Sequence, residues 1–228
     1  MVVPGQIRRW HAYPSLQILQ QEACSMILEI AEKAIEKTGI FRIVLAGGST
    51  PKGLYERLGK EKSEWASWKI YFGDERCLPP DHPERNSLMA FDSWLSLVDI
   101  PEENIHVIEA ELGPEEGASR YRQMLKGTGE FDFVLLGLGE DGHTASLFPG
   151  KKWQEGDVIA VHDAPKPPPE RISLSPSRLS LAKKVCFLVS GGSKKQAVSD
   201  WRSGKPIPAS FIAPESGVDI FIESSLIG

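Results

Sequence analysis

The sequence predicts an α/β protein of three layers, with a mostly parallel sheet covered by helices on both faces. Three observations carry that expectation. Short apolar runs such as FRIVLA, FDFVLL and KVCFLV read as buried strands, amphipathic stretches alternate with them, and most of the runs leave into glycine-rich loops. In sheets of this kind ligands bind where loops leave the carboxyl ends of the strands, so those loops are where chemistry is sought.

The elements follow in order. Residues 15–37 place Leu16, Leu19, Ala23, Met26, Ile27, Ile30 and Ala34 near one helical face, with charges opposite. A strand over 41–46 then runs into GGSTP and a helix whose first turn opens at Pro51. The pattern recurs with WKIYFGDE as a strand, RNSLMAFDSWLSLV and EGASRYRQMLK as helices, and FDFVLLGLG as a strand. RISLS, KVCFLVSG and VDIFIES read as further strands, with SKKQAVSDWRSG as a helix between the last two. The proline cluster 164–170 (APKPPPE) reads as a stiff structural loop leading into RISLS. No repeat of fixed period and no long linker divides the 228 residues, so one domain over 1–228 is expected.

A net charge of −5 without any block of Lys or Arg argues against a nucleic-acid partner. An anionic small ligand is compatible with that charge, because Arg76, Arg171 and Lys194 can make a local positive pocket. Cys24, Cys77 and Cys186 form no CxxC pair and show no metal-ligand spacing, which fits a reducing compartment. No segment approaches the roughly eighteen apolar residues of a membrane span, and the basic start MVVPGQIRRW is not followed by an apolar run. A cytoplasmic protein, unassociated with membrane and monomeric, is the expectation.

Four motifs carry chemistry. Gly47-Gly48-Ser49-Thr50 joins a strand to a helix, where free N–H groups and the helix dipole favour phosphate; a plain turn with a hydroxyl cap is the alternative. Asp74, Glu75 and Arg76 follow an apolar strand at once and suit proton handling and anion binding, against a solvated turn. The segment 137–149 (GLGEDGHTASLFP) contains a formal GxGxxG, yet Pro149-Gly150 would end any helix that the third glycine opens, which excludes a dinucleotide fingerprint mechanically. What remains there is His143, two residues after Asp141, suited to accept a proton from water near neutral pH. Arg171 and Lys194 form the fourth signal, two cations able to converge on a phosphate. Neither Ser49 nor Ser146 sits in a GxSxG elbow, which disfavours a serine nucleophile.

LAGGSTPKGLYERL, YFGDERCLPPDHPERNS, GLGEDGHTASLFP, RISLSPSRL and GGSKKQAV, in this order and spacing, resemble the 6-phosphogluconolactonases and cover the chain from about residue 39 onward. The resemblance implies the sugar-phosphate isomerase-like, modified Rossmann-like fold and hydrolysis of 6-phospho-D-glucono-1,5-lactone, the second step of the oxidative pentose phosphate pathway. It also implies that His143 is the base activating water, that Asp141 and Asp74 share its pocket, and that Ser49, Thr50, Arg171 and Lys194 hold the phosphate, with Arg76 a further contact. No metal or organic cofactor is implied. Where many members read Ser-Asn, this chain has Arg85-Asn86, so no role of that serine carries over.

Two alternatives stand beside this reading. The related amino-sugar-phosphate isomerase/deaminases follow DGH with an Asn-Glu-Pro that supplies a catalytic glutamate, where this chain has Ser146-Leu-Phe-Pro149. A non-catalytic sugar-phosphate sensor would use the same pocket with an appended output domain, for which 228 residues leave no room.

Overall fold

The computed structural model describes residues 5–227; residues 1–4 and 228, the ends of the expected 1–228 domain, lie outside them. The chain runs β1 (Arg8–Tyr13), α1 (Leu16–Thr38), β2 (Phe41–Leu45), α2 (Ser49–Leu58), β3 (Trp68–Phe72), β4 (Asp74–Arg76), α3 (Asn86–Ser93) and β5 (Ile105–His106). It continues through α4 (Pro114–Met124), β6 (Phe133–Gly137), β7 (Val158–Val161), β8 (Arg171–Leu174), α5 (Pro176–Ser180), β9 (Val185–Val189), α6 (Lys195–Arg202) and β10 (Val218–Glu223).

Seven strands form one sheet in the order β1-β10-β9-β6-β2-β3-β5, and all its pairings are parallel. From the central pair β2 and β6 the chain winds outward in opposite directions, through β3 and β5 on one side and through β9 and β10 on the other. The loops after β2 and β6 therefore part at the centre and leave a crevice over the carboxyl ends. The strands that build this centre are buried on both faces, which is why they read as unbroken apolar runs.

α1 covers one face of the sheet. Ser15 caps its start, its Oγ accepting from the Ile18 N–H at 3.3 Å, and Gly39 ends it at φ +77° with its N–H donating to the Ile35 carbonyl. Leu19, Ala23, Cys24, Ile27, Ala31 and Ala34 form its buried stripe, whereas Leu16, Met26 and Ile30 of the expected face are half-buried at its margin. Near the β3 edge Phe41, Trp65, Trp68 and Trp94 pack edge to face or tilted, with centroids 4.7–5.7 Å apart.

The structure departs from the sequence expectation in four places. The WKIYFGDE strand breaks at Gly73, whose N–H donates to the Leu45 carbonyl, and β4 crosses into a second sheet. There β4 and β7 flank β8 in antiparallel register, so RISLS lies outside the parallel sheet in which it was expected. α2 starts at Ser49 and not at Pro51, which places Ser49 and Thr50 in its first turn. β1 covers an N-terminal segment for which no element was expected, and it is an edge strand whose Arg and His side chains hid its period.

Glu75 is the side chain that joins the second sheet to α3. α3 has no side-chain cap of its own. The fully buried Glu75 carboxylate instead accepts from the N–H groups of Asn86 and Ser87 and from the Ser87 hydroxyl, each at 2.8 Å. Its counterion is Arg85, 3% exposed, with Nε 3.3 Å from Glu75 Oε2. The remaining Arg85 donors reach the Leu78 and Ile108 carbonyls and Glu111. Arg85 is thus a structural ion that compensates a buried charge. Removing one partner of such a pair strands the other, so Glu75→Ala is expected to lower stability by about 3 kcal/mol or more in urea unfolding; a loss under about 1 kcal/mol contradicts this role.

Candidate active site

The crevice at the strand ends is a cleft of about 450 Å³. Gly47, Gly48, Ser49, Thr50, Asp74, Arg76, His143, Arg171 and Lys194 all line it. Asp141, expected in the same pocket, is not on the wall; it stands behind His143 and touches the ring from the far side. The structure also brings in Asn86, Ser190 and Ser193, which carry no motif that would single them out.

The loop after β2 exposes the start of α2. Gly48 precedes the helix at φ +105°, a conformation that side-chain-bearing residues rarely adopt, and no side chain caps the first turn. Those N–H groups are left for a ligand, and an anion is the group they favour. Thr50 Oγ1 lies 2.7 Å from Ser190 Oγ, which ties this loop to the one after β9, while its carbonyl accepts from Gln20. Gly47 admits no side chain, since a Cβ there would lie 2.0 Å from Asn86 Oδ1.

The cations come from the second sheet and from the loop after β9. Arg76 and Arg171 are cross-strand partners in β4 and β8. Arg171 Nε and Nη2 are held by the carbonyls of Lys166, Pro167 and Pro168, so the proline loop aims the guanidinium. Arg76 Nη1 donates to the Glu84 carbonyl, and its buried Nε has no acceptor among the described residues. Lys194 enters from the turn at the head of α6, with Nζ 3.5 Å from Glu140. Glu140 also binds Lys166 at 2.5 Å, and that hydrogen bond, foremost among several contacts, holds its carboxyl down at about 2.

After β6 the chain turns tightly: the Gly139 N–H donates to the His143 carbonyl at 2.7 Å and the Gly142 N–H to the Gly139 carbonyl at 3.0 Å. No helix follows, which disposes of the dinucleotide fingerprint. Gly139 is required here because a Cβ would fall 2.0 Å from His143 Nδ1. Asp141 Oδ1 accepts from the His143 backbone N–H at 3.1 Å and lies 2.5 Å from Nδ1. An ionised carboxylate only accepts, so Nδ1 carries the proton and Nε2 is left with its lone pair. Burial pushes the His143 pKa below the ordinary imidazole value, and the pull of Asp141 in the other direction does not offset it. For Asp141 burial acts upward, but the two His143 donors outweigh it and the carboxyl sits below its usual range. The pair is therefore a neutral imidazole beside an anion at neutral pH.

Asp74, 6% exposed, is gripped on both oxygens: Oδ2 accepts from Ser146 Oγ at 2.6 Å and Oδ1 from Asn86 Nδ2 at 3.3 Å. Among the described residues no group of three or more His, Cys, Asp or Glu is arranged to hold a metal ion, and no helix is long and apolar enough to cross a membrane.

The ionisation of His143 is directly measurable. NMR titration is expected to give a midpoint below about 6.5, and Asp141→Asn is expected to lower it further because it removes the anion that favours the charged ring. A midpoint that rises in Asp141→Asn contradicts the arrangement.

Residues 14–221 match the family model of glucosamine-6-phosphate isomerases/6-phosphogluconolactonase. A 6-phosphogluconolactonase from Nostoc sp. is 38% identical over 195 residues, which is 82% of this chain and 81% of that one. One from Synechocystis sp. is 38% identical over 214 residues, covering 87% and 88%. Among solved structures, 6-phosphogluconolactonase from Trypanosoma cruzi superposes with a TM-score of 0.87 at 26% identity over 97% of both chains. A monomeric glucosamine-6-phosphate deaminase superposes with a TM-score of 0.83 at 21% identity, over 96% of this chain and 98% of that one, a likeness of fold alone.

Proposed function

The chain belongs to the glucosamine-6-phosphate isomerase/6-phosphogluconolactonase family, and we propose that it hydrolyses 6-phospho-D-glucono-1,5-lactone to 6-phosphogluconate in the pentose phosphate pathway. One observation carries the mechanism: His143, its Nδ1 engaged by Asp141 and its Nε2 unprotonated, shares one cleft with the open start of α2 and with Arg171 and Lys194.

In this reading the phosphate sits at Ser49 and Thr50, on the N–H groups of the first turn of α2, with Lys194 and Arg171 supplying charge and Arg76 a further contact. That anchoring places the lactone head toward His143. Nε2 takes a proton from water as the water oxygen bonds to C1 and the carbonyl becomes an oxyanion. The bond from C1 to the ring oxygen then breaks, and the imidazolium returns its proton to that oxygen. Asp141 fixes the tautomer and, with Asp74, stabilises the transient imidazolium. Orientation of a bound ester beside a base lowers the barrier by several kcal/mol without a covalent intermediate.

The isomerase/deaminase alternative is disfavoured by Ser146, Leu147 and Phe148, all buried where a catalytic glutamate would have to reach the cleft. The proposal extends to a monomer in the cytoplasm without nucleic-acid or membrane partners. The free thiols of Cys24, Cys77 and Cys186 support a reducing compartment. Burial, foremost, pushes the Cys24 and Cys77 pKa values up to about 11 and about 12, which keeps both unreactive.

The deciding assay compares 6-phosphogluconate formation with and without protein, since the lactone also hydrolyses spontaneously. Wild type is expected far above background and inert toward glucosamine 6-phosphate, and His143→Ala is expected to fall close to background while still binding inorganic phosphate. Because the base must be neutral, kcat is expected to be full above the His143 pKa and to fall as pH drops through it. Near wild-type turnover by His143→Ala refutes the assignment. Arg171→Ala or Lys194→Ala is expected to raise KM by about ten-fold or more; an unchanged KM in both removes them from the phosphate site.

A further inference from the structure

The turn that follows His143 is held in an uncommon conformation. Ala145 has φ +46°, a left-handed value that a residue with a Cβ adopts only when its surroundings impose it. Two contacts impose it from one neighbour: the Ser146 N–H donates to Ser173 Oγ at 3.3 Å, and Ser146 Oγ lies 2.6 Å from Asp74 Oδ2. Ser146 is 1% exposed. A carboxylate has no proton to give, so the serine donates, and its oxygen is engaged in that bond and not poised for attack. Among the described residues no other hydrogen bond joins the loop 139–149 to the loop 73–76.

We propose that Ser146 is a positioning residue of the hydrolysis, whose hydroxyl ties the loop that carries His143 to the carboxylate of Asp74 and so fixes the anion that stabilises the imidazolium. The inference rests on the lactonase reading above. Asp74 stands in the second sheet and His143 in a loop of the first, and backbone placement alone does not hold two side chains to a fraction of an ångström. The Ser146 bond supplies that tolerance. The other charged or titratable groups facing Asp74 are Arg171, His143, Arg76 beside Arg171, the neighbouring Glu75 and the Tyr55 hydroxyl. Loss of the serine donor leaves the Asp74 carboxylate with one weak contact, free to turn toward the arginines and away from His143.

A double-mutant cycle tests this. In Ser146→Ala, kcat is expected to fall by about ten-fold or more, while KM and the inhibition constant of inorganic phosphate stay within about two-fold. The acid limb of the kcat profile is expected to move to lower pH, because the anion that favours the charged His143 ring has turned away, and Ser146→Thr, which keeps the donor, is expected to recover most of the rate. In an Asp74→Asn background the same Ser146→Ala change is expected to cost little, because its route of action is gone. An equal loss in both backgrounds, or an acid limb that does not move, overturns the proposal. Should the alanine variant fail to fold in thermal melts, Ser146→Cys, of similar volume and with only a weak donor, enters the same cycle. Failure of the lactonase reading is separately visible, as wild type that does no better than spontaneous hydrolysis.

Discussion

An imidazole that must donate and a carboxylate that can only accept fix one another across 2.5 Å at His143 and Asp141, and the rest of the site is built to keep that contact in place. Both residues lie in one short turn, so the turn's backbone decides whether they meet. Gly139 leaves the space in which the ring lies, and Gly142, at φ +83°, has no room for a Cβ against Ile207. Phe148 packs beside the ring with centroids 4.8 Å apart and supplies the burial that keeps His143 neutral. Polarity from Asp141 and dryness beside Phe148 act in opposite directions on the same ring, and their balance is what makes a base of it.

The same economy governs charge. An acidic chain of net charge −5 presents Arg76, Arg171 and Lys194 to one cleft, and each is held in place by backbone carbonyls or by a rim carboxylate. Glu140, bridging Lys166 and Lys194, keeps the rim from carrying a surplus of positive charge when no ligand is bound. A phosphate arriving at the start of α2 meets donors that are already oriented, so the free-energy cost of assembling the site falls on folding and not on binding. Glu75 and Arg85 belong to that folding cost: the buried pair caps α3 and sets Asn86 against Asp74 and Gly47.

Much of this was legible in the residues. The core strands show as apolar runs because both their faces are covered, and the glycine loops show because the backbone must turn sharply and approach a ligand. β4 was not legible as a strand of its own: Asp74 and Glu75 read as the end of WKIYFGDE, yet Glu75 has no exposed surface, and only a partner ten residues away in the chain, Arg85, makes that burial tolerable. Ser146 and Ser190 were missed as site residues for a related reason. Their partners, Asp74 and Thr50, lie 72 and 140 positions distant, and a short hydroxyl side chain carries no pattern that announces a tertiary bond. Asp141 was expected in the same pocket from the resemblance, and closeness to His143 in sequence does not tell which side of the ring its carboxylate occupies.

A structure of the protein with 6-phosphogluconate bound tests the central claim most directly. The account predicts the product's phosphate on the first turn of α2 beside Lys194 and its C1 carboxylate within hydrogen-bond reach of His143 Nε2. A product bound with its carboxylate at Ser49 and Thr50, or with C1 out of reach of His143, would contradict it.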